Sequence, residues 1–284
     1  MVGNSIVVFR RGNRPSRRPG LSSLFSVLAV AAVPLACVAQ AATAAGADPA
    51  GSPQEASACA QQLANIQSCL TDAARTAVRD RDVAALSSVA AQLRSKVATD
   101  KGAALYYRSY WLAYADYLSV RVALANKRAD QAKAAALEAD SLLDKSTVKD
   151  QETYALQSLV VFLQYPLTSP TDIGRLIAKS SDLRAKLGNA ATLRALYSRA
   201  ESDFYTPKEY GGGKMAEQLL RQALALPEEP PHPLRPTWGR DDCAALLIQL
   251  LKSSGRTAEA QSLYTQWHKR MPDSVALGRL TGMQ

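Results

Sequence analysis

Aromatic side chains gather in one short part of this sequence and give it its clearest binding chemistry. One third of the aromatic residues, which number 3 Trp, 11 Tyr and 4 Phe in all, fall between Tyr106 and Tyr117. On a helix they form two neighbouring faces, because residues three or four apart share a side. Tyrosine has an apolar ring and a polar hydroxyl, which suits peptide recognition. We expect one face to pack inside and the other, Tyr106, Tyr110 and Tyr117, to line a partner-binding groove; interior packing of both faces is the alternative.

A second candidate site lies at Gly211–Gly213, a glycine run followed by Lys214. A glycine-rich turn that opens a helix invites a phosphate-binding interpretation, since helix N-termini attract anions. The phosphate loop of nucleotide-binding enzymes needs a preceding strand and a Ser or Thr after the lysine, whereas Met215 follows here. We therefore interpret the run as a tight turn, and we keep Tyr205 and Tyr210, which flank it, as further candidates for partner binding.

Residues suited to catalysis or metal binding are sparse. The two histidines, His232 and His268, have no further histidine or nucleophile at a meaningful spacing, and with four cysteines they make a zinc site of the usual type improbable. Asp241 and Asp242 are predicted to occupy the first turn of a helix, where acids complement the helix dipole. We predict no catalytic residue, no metal ligand and no cofactor. The sequence favours a non-catalytic scaffold that binds a protein or peptide; an enzyme with an unrecognised site between helices is the alternative.

The N-terminal region has the layout of a secretory signal. Five arginines and no acidic residue occur in residues 1–41, an apolar run covers residues 21–38, and Ala39–Ala41 fits the small-residue cleavage pattern. We predict cleavage after Ala41 and a periplasmic protein, because the apolar run is shorter than the roughly 20 residues of a membrane span. Two alternatives stay open: lipidation of Cys37, which would anchor the chain to a membrane as a lipoprotein and assembly component, and export by the twin-arginine route.

Charge and composition indicate which partners to expect and where the folded domain begins. The net charge is +9, from 34 basic and 25 acidic residues, and removal of the five N-terminal arginines leaves 29 basic residues against the same 25 acids. Those 29 are scattered, so no nucleic-acid partner is expected, because nucleic-acid binding needs a basic face. Residues 42–55 are small, polar and Pro- and Gly-bearing and are predicted to be a disordered linker. Residues 56–284 are predicted to form a single α-helical domain.

Helical periodicity runs through this predicted domain, and no segment alternates as a strand would. Apolar residues at spacings of three and four predict about ten helices, and short polar connections predict five helical hairpins in a solenoid. Cys59 and Cys69 fall in one predicted helix, about 15 Å apart, which is too far for a disulfide unless the helix breaks. We expect these two cysteines and Cys243 to be buried, unpaired thiols; pairing of Cys59 with Cys243 is the other arrangement.

The end of the chain resembles the tetratricopeptide repeat, a helix–turn–helix unit of about 34 residues. Leu247 and Leu251 take the inner edge of the first helix, Gly255 the turn, and Ala260 the close approach of the second helix, beside Tyr264. The pattern is degenerate, and two other segments match it only in part. The departures are Ala244, Ile248 and Trp267, and the partial matches are Ala132, Ala136 and Ala139, and Ala216, Leu220 and Ala223.

Residues 204–240 carry a more particular resemblance. Tyr205, Pro207 and Gly211–Gly212 form a turn of the type Y-x-P-x-x-x-G-G, and Pro236–Gly239 forms a later P-x-W-G. In these features the chain is similar to a group of uncharacterised, exported bacterial tetratricopeptide-like proteins, over about residues 105–272. The resemblance implies a helical repeat fold and export. It implies no activity, so no catalytic residue is carried over.

Overall fold

The computed structural model describes residues 66–280, except Pro231 and Pro233, and the described part is all α-helical, as the sequence predicts. The predicted signal peptide, Cys37, the linker and Cys59 lie outside the described residues. Within that part there are eleven α-helices, the last very short: α1 Ile66–Asp80, α2 Ala84–Val97, α3 Gly102–Ala125, α4 Ala129–Lys145, α5 Gln151–Gln164, α6 Ile173–Leu187, α7 Leu193–Tyr205, α8 Ala216–Ala225, α9 Arg240–Ser253, α10 Thr257–Arg270 and α11 Val275–Gly278.

Local sequence signals set several helix ends. Asp150 precedes α5 and accepts a hydrogen bond from the Thr153 amide at 2.9 Å, which satisfies one of the free amides at a helix start. Thr192 does the same for α7. After α5 the chain makes a 3₁₀ turn, Tyr165–Leu167, whose central residue is Pro166, because proline cannot continue a helix.

Consecutive helices pack in pairs through rows of small and apolar residues. The first pairs are α1 with α2 and α3 with α4, and the last is α9 with α10. Three of the second helices, α2, α4 and α8, also pack on the helix that begins the next pair, whereas α6 packs on α5 and makes at most marginal contact with α7. Small residues allow the close approach, and those that the repeat spacing singled out are fully buried: Ala132, Ala136, Ala139, Ala216, Ala223 and Ala260.

The two ends of the described chain meet. Helix α11 packs on α1, the Gln67 amide donates a hydrogen bond to the Thr237 hydroxyl at 3.0 Å, and Arg75 donates to the Asp273 carbonyl. In a simple solenoid each repeat touches only its neighbours. The predicted helical pairs are confirmed. The predicted solenoid is not confirmed, because contacts between distant parts of the sequence join α1 to α11 and to residues 237 and 273.

The cysteines depart in part from expectation. Cys243 is a buried, unpaired thiol as predicted, which excludes its pairing with Cys59. Cys69 is disulfide-bonded, so the prediction that it is an unpaired thiol is wrong, and its partner lies outside the described residues. Among the described helices, including the 24-residue α3, none combines the length and apolar character that crossing a membrane requires.

Candidate functional site

The aromatic helix α3 does not offer its expected face to a partner. Tyr110 and Tyr117 are 2% and 1% exposed, and Tyr106 is buried as well. The Tyr106 hydroxyl donates to Asp150 Oδ2 at 2.8 Å, at the start of α5. Trp111 and Tyr114, on the other face, are equally buried. The predicted exposure of Tyr106, Tyr110 and Tyr117 is therefore wrong, and the alternative of interior packing describes this helix.

The α8–α9 link, residues 226–239, is what covers the aromatic helix. Trp238 stacks on Tyr114 with ring centroids 4.6 Å apart, and its indole nitrogen donates to the Tyr110 hydroxyl at 3.1 Å. Four residues earlier in the link, the Leu234 carbonyl accepts a hydrogen bond from the Trp111 indole at 3.1 Å. The link thus contacts both faces of the helix: Tyr110 of the face that the sequence assigned to a partner, and Trp111 and Tyr114 of the other.

Arg194, on α7, holds this link in place. Its side chain is 3% exposed, and it pairs with Glu152 of α5 and with Glu229 of the link. It also donates to the Trp238 carbonyl at 2.9 Å. Burial raises the pKa of Glu152, and the Arg194 guanidinium opposes that rise. One guanidinium therefore joins two helices to the link, and its charge keeps a buried carboxylate compensated.

An interior charge cluster lies next to the aromatic helix, where α3, α7, α9 and the C-terminal segment meet. Arg121 donates to Asp242 Oδ1 at 3.0 Å and to the Tyr117 hydroxyl at 3.2 Å. Glu201 accepts from the Tyr197 hydroxyl at 3.2 Å through one oxygen, and its other oxygen is buried without a partner. We call Arg121, Glu201 and Asp242 the interior charge cluster.

Two carboxyls in and beside the cluster have raised pKa values. Burial raises the pKa of Asp241 to about 6, and the neighbouring Asp242 charge adds to the rise, while the Ser274 hydroxyl donates to Asp241 at 2.7 Å. Burial also raises the pKa of Glu201, against the pull of Arg121. Raised carboxyl pKa values are common at active sites but are also found in structural networks.

An aromatic patch opens to solvent at the C-terminal ends of α5 and α7. The Tyr205 ring is 41% exposed and lies 6.1 Å from Phe162. Tyr165 lies 6.0 Å from Phe162, and Phe204 meets Tyr205 edge to face at 4.8 Å. Glu201 of the interior charge cluster lies one helical turn before Tyr205 on α7, so the patch borders that cluster. We call Phe162, Tyr165, Phe204 and Tyr205 the aromatic patch.

The structure keeps Tyr205 as a candidate and separates Tyr210 from it. Tyr210 is 54% exposed and contacts no aromatic ring within the part of the chain described here. The glycine run beyond it is a tight turn: a Cβ on Gly212 would lie 1.8 Å from the Thr206 carbonyl oxygen. Asp203 accepts from the amides of residues 215 and 216, both at 2.8 Å. A carboxylate already occupies the start of α8, so the tight-turn interpretation is confirmed over the phosphate one.

The remaining chemical candidates have structural roles. His232 Nδ1 accepts from the amides of Leu234 and Arg235, and His268 stacks on Tyr264 with centroids 5.4 Å apart. Asp241 and Asp242 occupy the first turn of α9, as predicted. Within residues 66–280 there is no group of three or more His, Cys, Asp and Glu side chains arranged for a metal ion.

Phe162 and Tyr165 were missed in the sequence. They stand three residues apart at the end of α5, just before Pro166, and aromatic residues at that spacing share a helix face. That spacing was an available signal. Their proximity to Tyr205, 40 residues farther along, depends on the packing of α5 against α7.

Comparison with known proteins adds no relative. No protein-family model matches the chain, and no match is found among curated proteins or among solved structures. The resemblance to exported tetratricopeptide-like proteins therefore stays a prediction that rests on the residues quoted for it.

Proposed function

We propose that this chain is an exported, non-catalytic protein that binds a segment of another protein or a peptide through its aromatic patch. The observation that carries the proposal is the exposure of Tyr205 in ring contact with Phe162 and Phe204. Tyrosine-rich patches are common at recognition surfaces because they bury a large apolar area and keep a polar tip. The repeat-like helical pairs supply a rigid support for such a surface.

The chemistry of the patch indicates a partner with apolar or aromatic side chains. Phe162 and Phe204 offer rings without polar groups, whereas Tyr165 and Tyr205 each add one hydroxyl. Tyr210 is assigned a secondary role at the edge, because it is exposed but lies outside the ring contacts of the patch. No cofactor and no metal are part of the proposal.

The periplasm is the compartment that best fits the chain. The support comes from the signal-like N-terminus and from the disulfide of Cys69, since disulfides persist mainly in oxidising compartments. N-terminal sequencing of the protein recovered from the periplasm should find Ala42 first. Recovery with a lipidated Cys37 would replace this with the membrane-anchored alternative, and an intact Met1 in the cytosol would contradict export altogether.

The binding proposal is tested with matched baits. The purified chain, the variants Phe162→Ala and Tyr205→Ala, and the control Leu137→Ala are each incubated with periplasmic extract, and retained proteins are quantified by mass spectrometry. Leu137 is an exposed apolar residue on α4 and is not one of the four patch residues. We expect at least one protein to be retained by the wild type and the control but lost from both patch variants. Identical recovery on all four baits would refute the proposed surface.

Enzymatic activity is the second candidate, and the raised pKa of the carboxyls Asp241 and Glu201 is the observation in its favour. Neither side chain lines the open groove along α8. A turnover assay in which Asp241→Asn abolishes activity without loss of folding would shift the assignment to an enzyme.

A further inference from the structure

A groove runs along α7 and α8 on the flank that faces away from the last helical pair. Glu217 and Arg221 lie on one side of α8 and pair there with Arg256 and Glu259 of α10. The groove occupies the opposite side, where Leu196 of α7 and Leu219 of α8 form part of its floor. Its cavity volume is about 540 Å³.

The irregular position of α6 leaves this flank open. Helices α2, α4 and α8 each pack on the helix that follows their own pair, but α6 packs on α5 through Leu176, Leu183 and Leu187 and makes at most marginal contact with α7 and α8. Only the α6–α7 turn, at residues 189–191, reaches the end of the groove. Within residues 66–280, α7 therefore lacks the packing by a preceding second helix that α3, α5 and α9 have, and it packs on α5 instead.

The dimensions of the groove suit a helix. Its lining on α8 runs from Met215 to Leu226, so the groove follows the whole length of that helix. Ten residues of helix rise about 15 Å, which is room for nearly three turns of a helix laid alongside. An amphipathic helix that places its apolar side in a groove is a recurrent mode of peptide recognition.

Charge indicates what that helix should carry. Arg199 lines the groove, is half-buried, and makes no hydrogen bond or ion pair within the described residues. Among the described residues, no acidic side chain lines the groove. A half-buried guanidinium without an acceptor favours a carboxylate, with which it can form paired hydrogen bonds.

We propose that the α7–α8 groove receives an amphipathic helix of a partner protein, with a carboxylate of that helix bound to Arg199. The groove takes the place in the packing that α6 leaves, and the incoming helix completes the pattern that α2, α4 and α8 follow. This surface is separate from the aromatic patch, so the two proposals can fail independently.

The test uses a phage-displayed library of 16-residue peptides with apolar residues fixed at helical spacing and the other positions free. Selection on the folded wild type should enrich Asp or Glu at one position, and the resulting peptides should lose about tenfold in affinity for Arg199→Glu, measured by fluorescence anisotropy. Selection on Arg199→Glu should enrich Lys or Arg instead. The control Arg175→Glu changes an exposed arginine of α6 and should leave wild-type affinity. Circular dichroism verifies that each variant is folded.

Several outcomes would overturn the proposal. Failure to enrich helical peptides, or enriched peptides that bind Arg199→Glu as well as the wild type, would remove the groove as a docking site. Peptides that lose affinity for Tyr205→Ala but not for Arg199→Glu would belong to the aromatic patch. Sedimentation that shows a wild-type dimer abolished by Arg199→Glu would identify a second copy of the chain as the occupant.

Discussion

Replacement of Arg194 by methionine should be among the most destabilising single changes in this protein. The side chain is 3% exposed and joins Glu152, Glu229 and the Trp238 carbonyl. Methionine fills a similar volume but leaves Glu152 buried beside no cation. Removal of one partner of a buried ion pair costs about 3–5 kcal/mol. We expect the free energy of unfolding, measured by urea titration at pH 7.5, to fall by about that amount.

A surface arginine provides the matched control. Arg128 pairs with Asp82 at 2.7 Å, but the two side chains are 43% and 45% exposed. Exposed pairs contribute only about 0–1 kcal/mol, because water screens them and ordering the side chains costs entropy. Arg128→Met should therefore change the free energy of unfolding by less than about 1 kcal/mol. Equal losses for the two variants would refute the assignment of Arg194 as a buried hub.

The pH dependence gives a second check on the same reasoning. Burial raises the pKa of Glu152 above its ordinary value even with Arg194 present, and loss of the guanidinium removes what opposes the rise. The folded variant then binds more protons than the unfolded chain between the two pKa values, so its stability rises as the pH falls. The deficit of Arg194→Met should shrink from pH 7.5 to 5.5, and Glu152→Gln added to it should recover part of the loss. A deficit unchanged by pH and by the second substitution would contradict the account.

Three further outcomes test the packing and the buried acids. Burial and the charge of Glu138 raise the pKa of Asp116 to about 7. The free energy of unfolding of the wild type should therefore fall as the pH rises from about 4 to 7, by up to about 1.4 kcal/mol per pH unit. Asp116→Asn should flatten that slope in thermal melts. Ala260→Leu should lower the free energy of unfolding by about 1–3 kcal/mol, because it overpacks a fully buried site. Ala258→Leu, at an exposed position of the same helix, should leave the free energy of unfolding unchanged. Gly212→Ala should destabilise by forcing its Cβ against a carbonyl, whereas Gly174→Ala, in open space on α6, should stabilise by about 0.5–1 kcal/mol.

The sequence by itself determined the helices and much of their packing. Spacings of three and four located the ten long helices, because the helical period places such residues on one side whatever surrounds them. The resemblance to the tetratricopeptide repeat singled out Ala132, Ala136 and Ala260, which the structure buries completely. The tight turn at Gly211–Gly213 was also predictable, because the sequence lacks the strand and the Ser or Thr that a phosphate-binding loop requires.

Only the tertiary structure decided which aromatic residues remain accessible. The aromatic helix is apolar on most of its surface, so its sequence could not distinguish a groove from an interior. The distinction came from Trp238, which lies 128 residues beyond Tyr110 and hydrogen-bonds to it. The aromatic patch and the open flank beside Arg199 depend in the same way on how α5, α6 and α7 pack. Helix periodicity is a local property of the chain, whereas exposure depends on which distant segment covers a face.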